Sequence, residues 1–186
     1  MIPIPVAEIR PLGRVDADVD EITGVSIDSR RVGPGDLFVA VRGGVAYVDD
    51  ARSRGAATLV PEDDFAAMAA LGRGVRDRSR AEVVGITGST GKTSTKDILA
   101  AMLAQSRQTV ANRENLNTEI GLPLTVLEAP PGTEALVLEM GMRGPGQIAE
   151  LTAIAEPDVG VITAVAPVHL ELMGSIEAIA AAKAEL

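Results

Sequence analysis

From residue 82 onward, short apolar runs alternate with amphipathic stretches in a regular order. Val83-Val84-Gly85-Ile86-Thr87 reads as a buried strand. Residues 92–103 read as a helix with Ile98, Leu99, Met102 and Leu103 on one face. Thr109-Val110-Ala111 is a short strand. Residues 115–127 suit a helix, which Pro123 is expected to break or bend. Ala135-Leu136-Val137-Leu138-Glu139-Met140 is a strong strand. Residues 145–155 form a helix that stops before Pro157, residues 159–163 another strand, and residues 175–186 a last helix. The order is βαβαβαβα. Strands that are apolar throughout and alternate with helices predict a parallel sheet covered on both faces. In such sheets ligands bind beyond the carboxyl ends of the strands.

The first 80 residues have a different texture, rich in Arg, Asp and Gly. Asp36-Leu37-Phe38-Val39-Ala40-Val41 is a strand placed after the turn signal Gly33-Pro34-Gly35. The run Ala57-Thr58-Leu59-Val60 ends at Pro61, and residues 50–55 suit one or two helical turns. Residues 73–80 carry Arg73, Arg76, Arg78 and Arg80 and read as a solvated helix or linker. The expected organisation is a small N-terminal α/β domain over residues 1–80. A P-loop, mostly parallel α/β sheet with helices on both faces, itself incomplete, covers residues 81–186. A length of 186 residues accommodates that division. No internal repeat or low-complexity segment interrupts it.

Composition narrows the function. Hydrophobic residues are 46% but aromatics only 2%, so the core must be aliphatic. A net charge of −9 argues against a nucleic-acid binder, which normally carries a basic face. It leaves room for a small anion, because one nest of backbone N–H groups holds a phosphate. The chain has no Cys and a single His, which removes disulfides, thiolate metal sites and multi-histidine zinc sites. No charge-free apolar run reaches the length of a membrane span, so a soluble cytoplasmic protein is expected. Lysines are scarce: Lys92, Lys96 and Lys183 stand against fourteen arginines. A lysine kept in such a chain is a candidate for chemistry that Arg cannot perform.

The clearest chemical signal is Thr87-Gly88-Ser89-Thr90-Gly91-Lys92-Thr93, set between a strand and a helix. Glycines let successive N–H groups curl inward, and the helix N-terminus adds partial positive charge. Lys92 would reach the outer phosphates and the Thr93 hydroxyl would hold Mg²⁺. The strict spacing wants a further Gly where Ile86 stands, so the motif is a variant. Glu139 ends a strand and would project toward the same sheet edge, where Mg²⁺ takes one or two carboxylates with phosphates and water. His169 follows the last strand and is either a hydrogen-bonded structural residue or a metal ligand, with Glu171 near it in sequence. Lys183 lies on the last helix, where an exposed lysine is the ordinary expectation. Asn112, Asn115 and Asn117, with Glu119 close by, are helix caps or substrate contacts, and spacing does not decide between them.

These segments resemble the Mur ligase family. The variant P-loop is of its type. Asn115-Leu116-Asn117-Thr118-Glu119-Ile120-Gly121, Leu138-Glu139-Met140-Gly141-Met142 and His169-Leu170-Glu171 with Gly174-Ser175 follow in the family's order. Upstream, Ser26-Ile27-Asp28-Ser29-Arg30 and residues 34–40 look like the family's UDP-binding N-terminal domain. The resemblance implies an ATP-dependent amide ligase of peptidoglycan precursor synthesis, working through an acyl phosphate. The branch it is most similar to joins D-alanyl-D-alanine to a UDP-N-acetylmuramoyl-tripeptide. It implies that Gly88, Ser89, Thr90, Gly91, Lys92 and Thr93 bind ATP. Thr93 and Glu139 would hold one Mg²⁺, and His169 a second together with Lys183, the position that family members carbamylate. Lys92, His169 and Lys183 are the implied catalytic residues. Ser29 and Arg30 would lie near the uridine nucleotide, and Asn115, Asn117 and Glu119 near substrate. A monomer at full length, with neither nucleic acid nor membrane as partner, is the associated expectation. The sequence departs from the family in three ways: members run well over twice this length, their Asp-Gly-His element is absent between Gly43 and Ala51, and Ala164 replaces a usual Asn. A different Mur ligase and a non-catalytic nucleotide-binding remnant are the competing expectations. The segment 26–30 argues against a folate-polyglutamate-type ligase.

Overall fold

The computed structural model describes residues 1–113, 116–167 and 173–186. The strands are β1 (Ile4–Pro5), β2 (Gly13–Asp16), β3 (Glu21–Ile22), β4 (Gly24–Ser26), β5 (Asp36–Val39), β6 (Ala57–Pro61), β7 (Glu82–Thr87), β8 (Thr109–Ala111), β9 (Ala135–Glu139) and β10 (Val159–Ile162). The helices are α1 (Val6–Ile9), α2 (Val48–Ser53), α3 (Asp64–Arg78), α4 (Lys92–Leu103), α5 (Gly121–Glu128), α6 (Gln147–Ala155) and α7 (Ile176–Lys183). None of the described helices is long and apolar enough to cross a membrane.

Two four-stranded sheets result. The first has the order β2-β6-β5-β4, parallel except for β2 against β6, and β1 pairs separately with β3. The second has the order β10-β7-β9-β8 and is parallel throughout, as the alternating pattern predicts. Val83, Ile86, Leu136, Val137 and Leu138 are all fully buried, which is why their runs are apolar without alternation. The right-handed crossover rule assigns α4 to one face and α5 and α6 to the other. α5 and α6 accordingly touch each other, while α4 lies on β8 and β9.

The structure revises three readings of the pattern and decides a fourth. Pro123 does not break a helix; it sits in the first turn of α5, where its missing N–H has no intrahelical partner to lose. Of the two alternatives for residues 73–80, helix holds and linker does not. Most of them complete α3, a fifteen-residue helix that the composition hid, capped by the Asp63 carboxylate on the N–H groups of Phe65 and Ala66. The apolar face of α4 is not fully covered, since Ile98 and Met102 are more than half exposed. β10 is a partly exposed edge rather than a doubly covered strand, with Val159 and Ile162 facing outward.

α3 joins the two sheets. Its buried stripe of Ala67, Met68, Leu71 and Val75 belongs to the same core cluster as Leu37, Leu59, Val83 and Leu136. It approaches α5 so closely that a side chain at Gly72 would place its Cβ 2.9 Å from the Pro123 Cβ. Arg76, largely buried, donates from Nε to the Ala155 carbonyl at 2.7 Å and from a terminal nitrogen to the Glu156 carbonyl at 3.1 Å. Arg73 donates to the Ala153 carbonyl at 2.6 Å. These arginines satisfy the last carbonyls of α6 and meet the negative end of its dipole. Arg76→Ala should lower stability by about 2 kcal/mol, the scale of charge-assisted bonds whose partly buried acceptors lose their donor. Arg76→Lys should recover less than half of that, because a lysine cannot fork across two carbonyls. Urea unfolding midpoints of the three proteins measure both.

Candidate active site

The loop between β7 and α4 wraps the start of the helix. Gly91 stands at its N-cap with φ 80°, a left-handed geometry that suits glycine. Gly88 has φ 150°, and a Cβ there would lie 2.0 Å from Thr163 Oγ1, so the position excludes any side chain. The segment after β10 pins the loop from the other side. Ser89 N donates to the Ala164 carbonyl at 2.8 Å, and Thr163 Oγ1 donates to the Thr90 carbonyl at 2.6 Å. The Ser89 hydroxyl accepts from Ala166 N at 3.0 Å. Lys92 Nζ donates to the Gly88 carbonyl at 2.9 Å and so caps the loop it belongs to.

Parallel pairing of β7 with β9 sets Ile86 opposite Glu139, so the two strands end within one residue of each other. The Glu139 side chain, 3% exposed, therefore lies beside the first turn of α4. Thr93 Oγ1 donates to Glu139 Oε2 at 2.8 Å, and Asn117 Nδ2 donates to Glu139 Oε1 at 2.9 Å. A hydroxyl, a carboxylate and an amide thus converge at the mouth of the phosphate-type loop. Thr93 and Glu139 offer the hard oxygen donors that suit Mg²⁺. Among the described residues, no three His, Cys, Asp or Glu side chains gather as a ready-made metal cage.

Lys183 is buried on α7. Burial first, and the charge of Lys92 second, push its amine below the usual lysine value. The exposed lysine expected from composition is therefore replaced by a desolvated one that feels the P-loop lysine. Asn115 and His169, also expected at the site, lie outside the described residues.

The remaining expected residues do not join this cluster through any described hydrogen bond. Glu119 accepts from Gln147 Nε2 at 3.0 Å and lines a cavity of about 620 Å³ between α3 and α6. Ser29 and Arg30 lie just past β4, on the first sheet. Arg30 forks onto Asp28 at 2.8 and 2.9 Å and, through that hydrogen bond, holds the Asp28 carboxyl down at about 2. The Ser29 hydroxyl likewise lowers the Asp50 carboxyl, with Arg54 adding to it.

For three residues the pattern does not show the part they play in the geometry. Asn112, a cap or a contact on spacing alone, is 1% exposed and bonded to both the N–H and the carbonyl of Glu139. Lys96 is 3% exposed, with Nζ 2.7 Å from the Asn112 carbonyl. Its signal was its place four residues after Lys92, on the same helix face. Thr163, a strand-end hydroxyl, carried no signal of its own.

With three lysines, the Lys183 amine can be followed directly. In reductively ¹³C-methylated protein, its NMR signal should titrate below that of an ordinary lysine. Lys92→Met should move the midpoint upward but not fully back, since burial is the larger cause and remains. A midpoint unmoved by Lys92→Met would show that the two amines do not interact.

Comparison with known proteins gives a consistent picture. Residues 86–186 match the family described as "Mur ligase middle domain", and residues 21–91 match "Mur ligase family, catalytic domain". The UDP-N-acetylmuramoyl-tripeptide–D-alanyl-D-alanine ligase of Synechocystis is 40% identical over 89% of this chain and 41% of its own length. The crystal structure of MurF from Acinetobacter baumannii superposes with a TM-score of 0.86 at 28% identity, over 98% of this chain and 46% of that one. MurF ligase from Thermotoga maritima, in complex with ADP, gives 0.79 at 38% identity, over 87% of this chain and 42% of that one. The chain spans less than half the length of these relatives.

Proposed function

The chain belongs to the Mur ligase family, and on that premise we propose that it forms the nucleotide-binding part of an ATP-dependent ligase joining D-alanyl-D-alanine to a UDP-N-acetylmuramoyl-tripeptide. Residues 81–186 carry the ATP site, and residues 1–80 serve the UDP-linked substrate through Ser29 and Arg30. The observation that carries the reading is the 2.8 Å contact between Thr93 and Glu139, a P-loop hydroxyl on a strand-end carboxylate. The substrate pair comes from the relatives' names, and the nucleotide is supported by the ADP complex of the Thermotoga structure.

In this reading Gly88, Thr90 and Gly91 present backbone N–H groups to the phosphates, while Ser89, whose N–H is taken by the Ala164 carbonyl, holds the ATP-binding loop in shape. Lys92 swings its ammonium from the Gly88 carbonyl onto the outer phosphates, which repel an incoming carboxylate. Thr93 and Glu139 would hold a nucleotide-bound Mg²⁺, the donor set being of the kind that ion takes beside phosphate and water. When bound, the metal screens charge and polarises the transferring phosphoryl group. The peptide carboxylate attacks the γ-phosphorus and ADP leaves. The dipeptide amine then attacks the acyl carbon and phosphate leaves. Asn117 orients Glu139, and Asn115 and Glu119 serve the substrate side. The lowered basicity of Lys183 favours the neutral amine, whose lone pair can attack CO₂ and lose a proton to give a carbamate. With His169, that carbamate would hold a second Mg²⁺. The proposed enzyme is cytoplasmic, monomeric at full length and without a membrane partner, and the net charge of −9 disfavours a nucleic-acid partner.

Calorimetric titration with Mg-ADP tests the site. Lys92→Ala should weaken binding about ten- to a hundredfold, the worth of one or two charge-assisted contacts. Equal binding by both proteins would remove Lys92 from the nucleotide site. In the enzyme at full length, phosphate release from ATP that requires both the UDP-tripeptide and D-Ala-D-Ala would support the ligase assignment. Release indifferent to the dipeptide would contradict it.

A further inference from the structure

Glu139 reaches Thr93 only if its backbone is held at one height and its carboxylate turned one way. Three neighbours arrange this, and two of them stand behind the site rather than in it. β8 pairs with β9 as far as Ala111 opposite Val137, and then the ladder stops. Where the next backbone pairing would fall, the side chain of Asn112 takes over. Its Oδ1 accepts from Glu139 N at 2.8 Å, and its Nδ2 donates to the Glu139 carbonyl at 2.9 Å. One amide thus brackets one residue on both sides, as a neighbouring strand would. The second Nδ2 proton goes to the Leu116 carbonyl at 2.8 Å. Leu116 immediately precedes Asn117, whose own amide grips Glu139 Oε1 at 2.9 Å. Asn112 therefore fixes both the backbone that carries the carboxylate and the loop that orients it.

Only asparagine meets this demand. Aspartate has the shape but would turn an acceptor toward two carbonyls. Serine and threonine cannot span the N–H and the carbonyl together. Glutamine places its amide one methylene too far. Behind Asn112 stands Lys96, one turn beyond Lys92 on α4. Its Nζ donates to the Asn112 carbonyl at 2.7 Å, and Asp97 lies 3.0 Å from the same nitrogen. A buried ammonium is costly unless paired, so this contact ties the end of β8 to the helix that carries Thr93.

We propose that Asn112 and Lys96 are positioning residues that set the Glu139 carboxylate against Thr93 for the metal of a bound Mg-nucleotide. The proposal rests on the reading of Thr93 and Glu139 given above. Neither residue touches nucleotide or metal; both act through Glu139. Partners of this kind behind metal ligands alter metal affinity by about ten- to a hundredfold.

The test is the gain in ADP affinity on adding Mg²⁺, measured by calorimetry on the 186-residue chain. The variants are Asn112→Ala, Asn112→Asp, Lys96→Met, Glu139→Gln and the Asn112→Ala/Glu139→Gln pair. Asn112→Ala and Asn112→Asp should cut the Mg²⁺-dependent gain by about tenfold or more, and Lys96→Met should cut it less. Metal-free ADP affinity, carried by the loop N–H groups and Lys92, should change by no more than about twofold. In the Glu139→Gln background, Asn112→Ala should cost nothing further, because a residue acting through Glu139 has nothing left to act on. A purely structural role would instead lower both affinities together and add to Glu139→Gln; that result overturns the proposal. If an alanine variant fails to fold, Asn112→Asp and Lys96→Met decide by the same comparison. Loss of the gain in Glu139→Gln with all single Asn112 and Lys96 variants unaffected rejects the positioning role and keeps the site. No Mg²⁺-dependent gain in the wild type, or a full gain in Glu139→Gln, overturns the reading of the site and the positioning role with it.

Discussion

The parallel register of β7 and β9 is the constraint from which the site follows. With Ile86 opposite Glu139, the two central strands end within one residue of each other. The turn after β7 becomes the glycine loop and the last residue of β9 becomes its neighbouring carboxylate. A register slip of one residue would turn Glu139 to the other face and separate it from Thr93. The flanking strands protect that register. β10 pairs along all of its residues with β7, and β8 pairs with β9 until Asn112 continues the ladder with its side chain. The loop after β10 then bonds to Ser89 and Thr90, so the glycine loop is held from two strands at once.

The first sheet is not an independent appendage. α3 runs between the two sheets, with Gly72 allowing close approach to α5, and its arginines ending α6. Small side chains provide proximity and long cationic ones provide direction. The surface ion pairs nearby, such as Arg54 with Asp50 or Arg52 with Asp16, are exposed and contribute little by comparison. Arg76 differs because its partners are helix-end carbonyls in a partly buried setting.

Charge is distributed by residue type. The fourteen arginines lie mostly in exposed pairs or at helix ends, while the lysines concentrate around α4. Lys92 opens the helix, Lys96 is buried one turn later, and Lys183 senses Lys92 from α7. A guanidinium is too broad for these places and never gives up its proton. An acidic chain thus keeps a small positive centre at one sheet edge, of a size that suits a small anion.

The sequence by itself determined the doubly covered parallel sheet, because runs such as 83–87 and 135–140 are apolar without alternation. It also determined the glycine loop and the strand-end acid, because both sit at boundaries that local residue types mark. It did not reveal α3, whose alanines and arginines resemble a solvated segment until α5 and α6 are placed against it. Nor did it show that Pro123 starts a helix, that Lys183 is buried, or that Ser29 and Arg30 share no described contact with the glycine loop. The roles of Asn112 and Lys96 were equally hidden. Each is a polar residue whose meaning depends on which carbonyl or N–H lies within about 3 Å, a hydrogen-bond distance set by partners up to 27 residues away along the chain. Periodicity and local motifs report on neighbours in sequence; burial and hydrogen bonding between distant segments come into being only when the chain has folded.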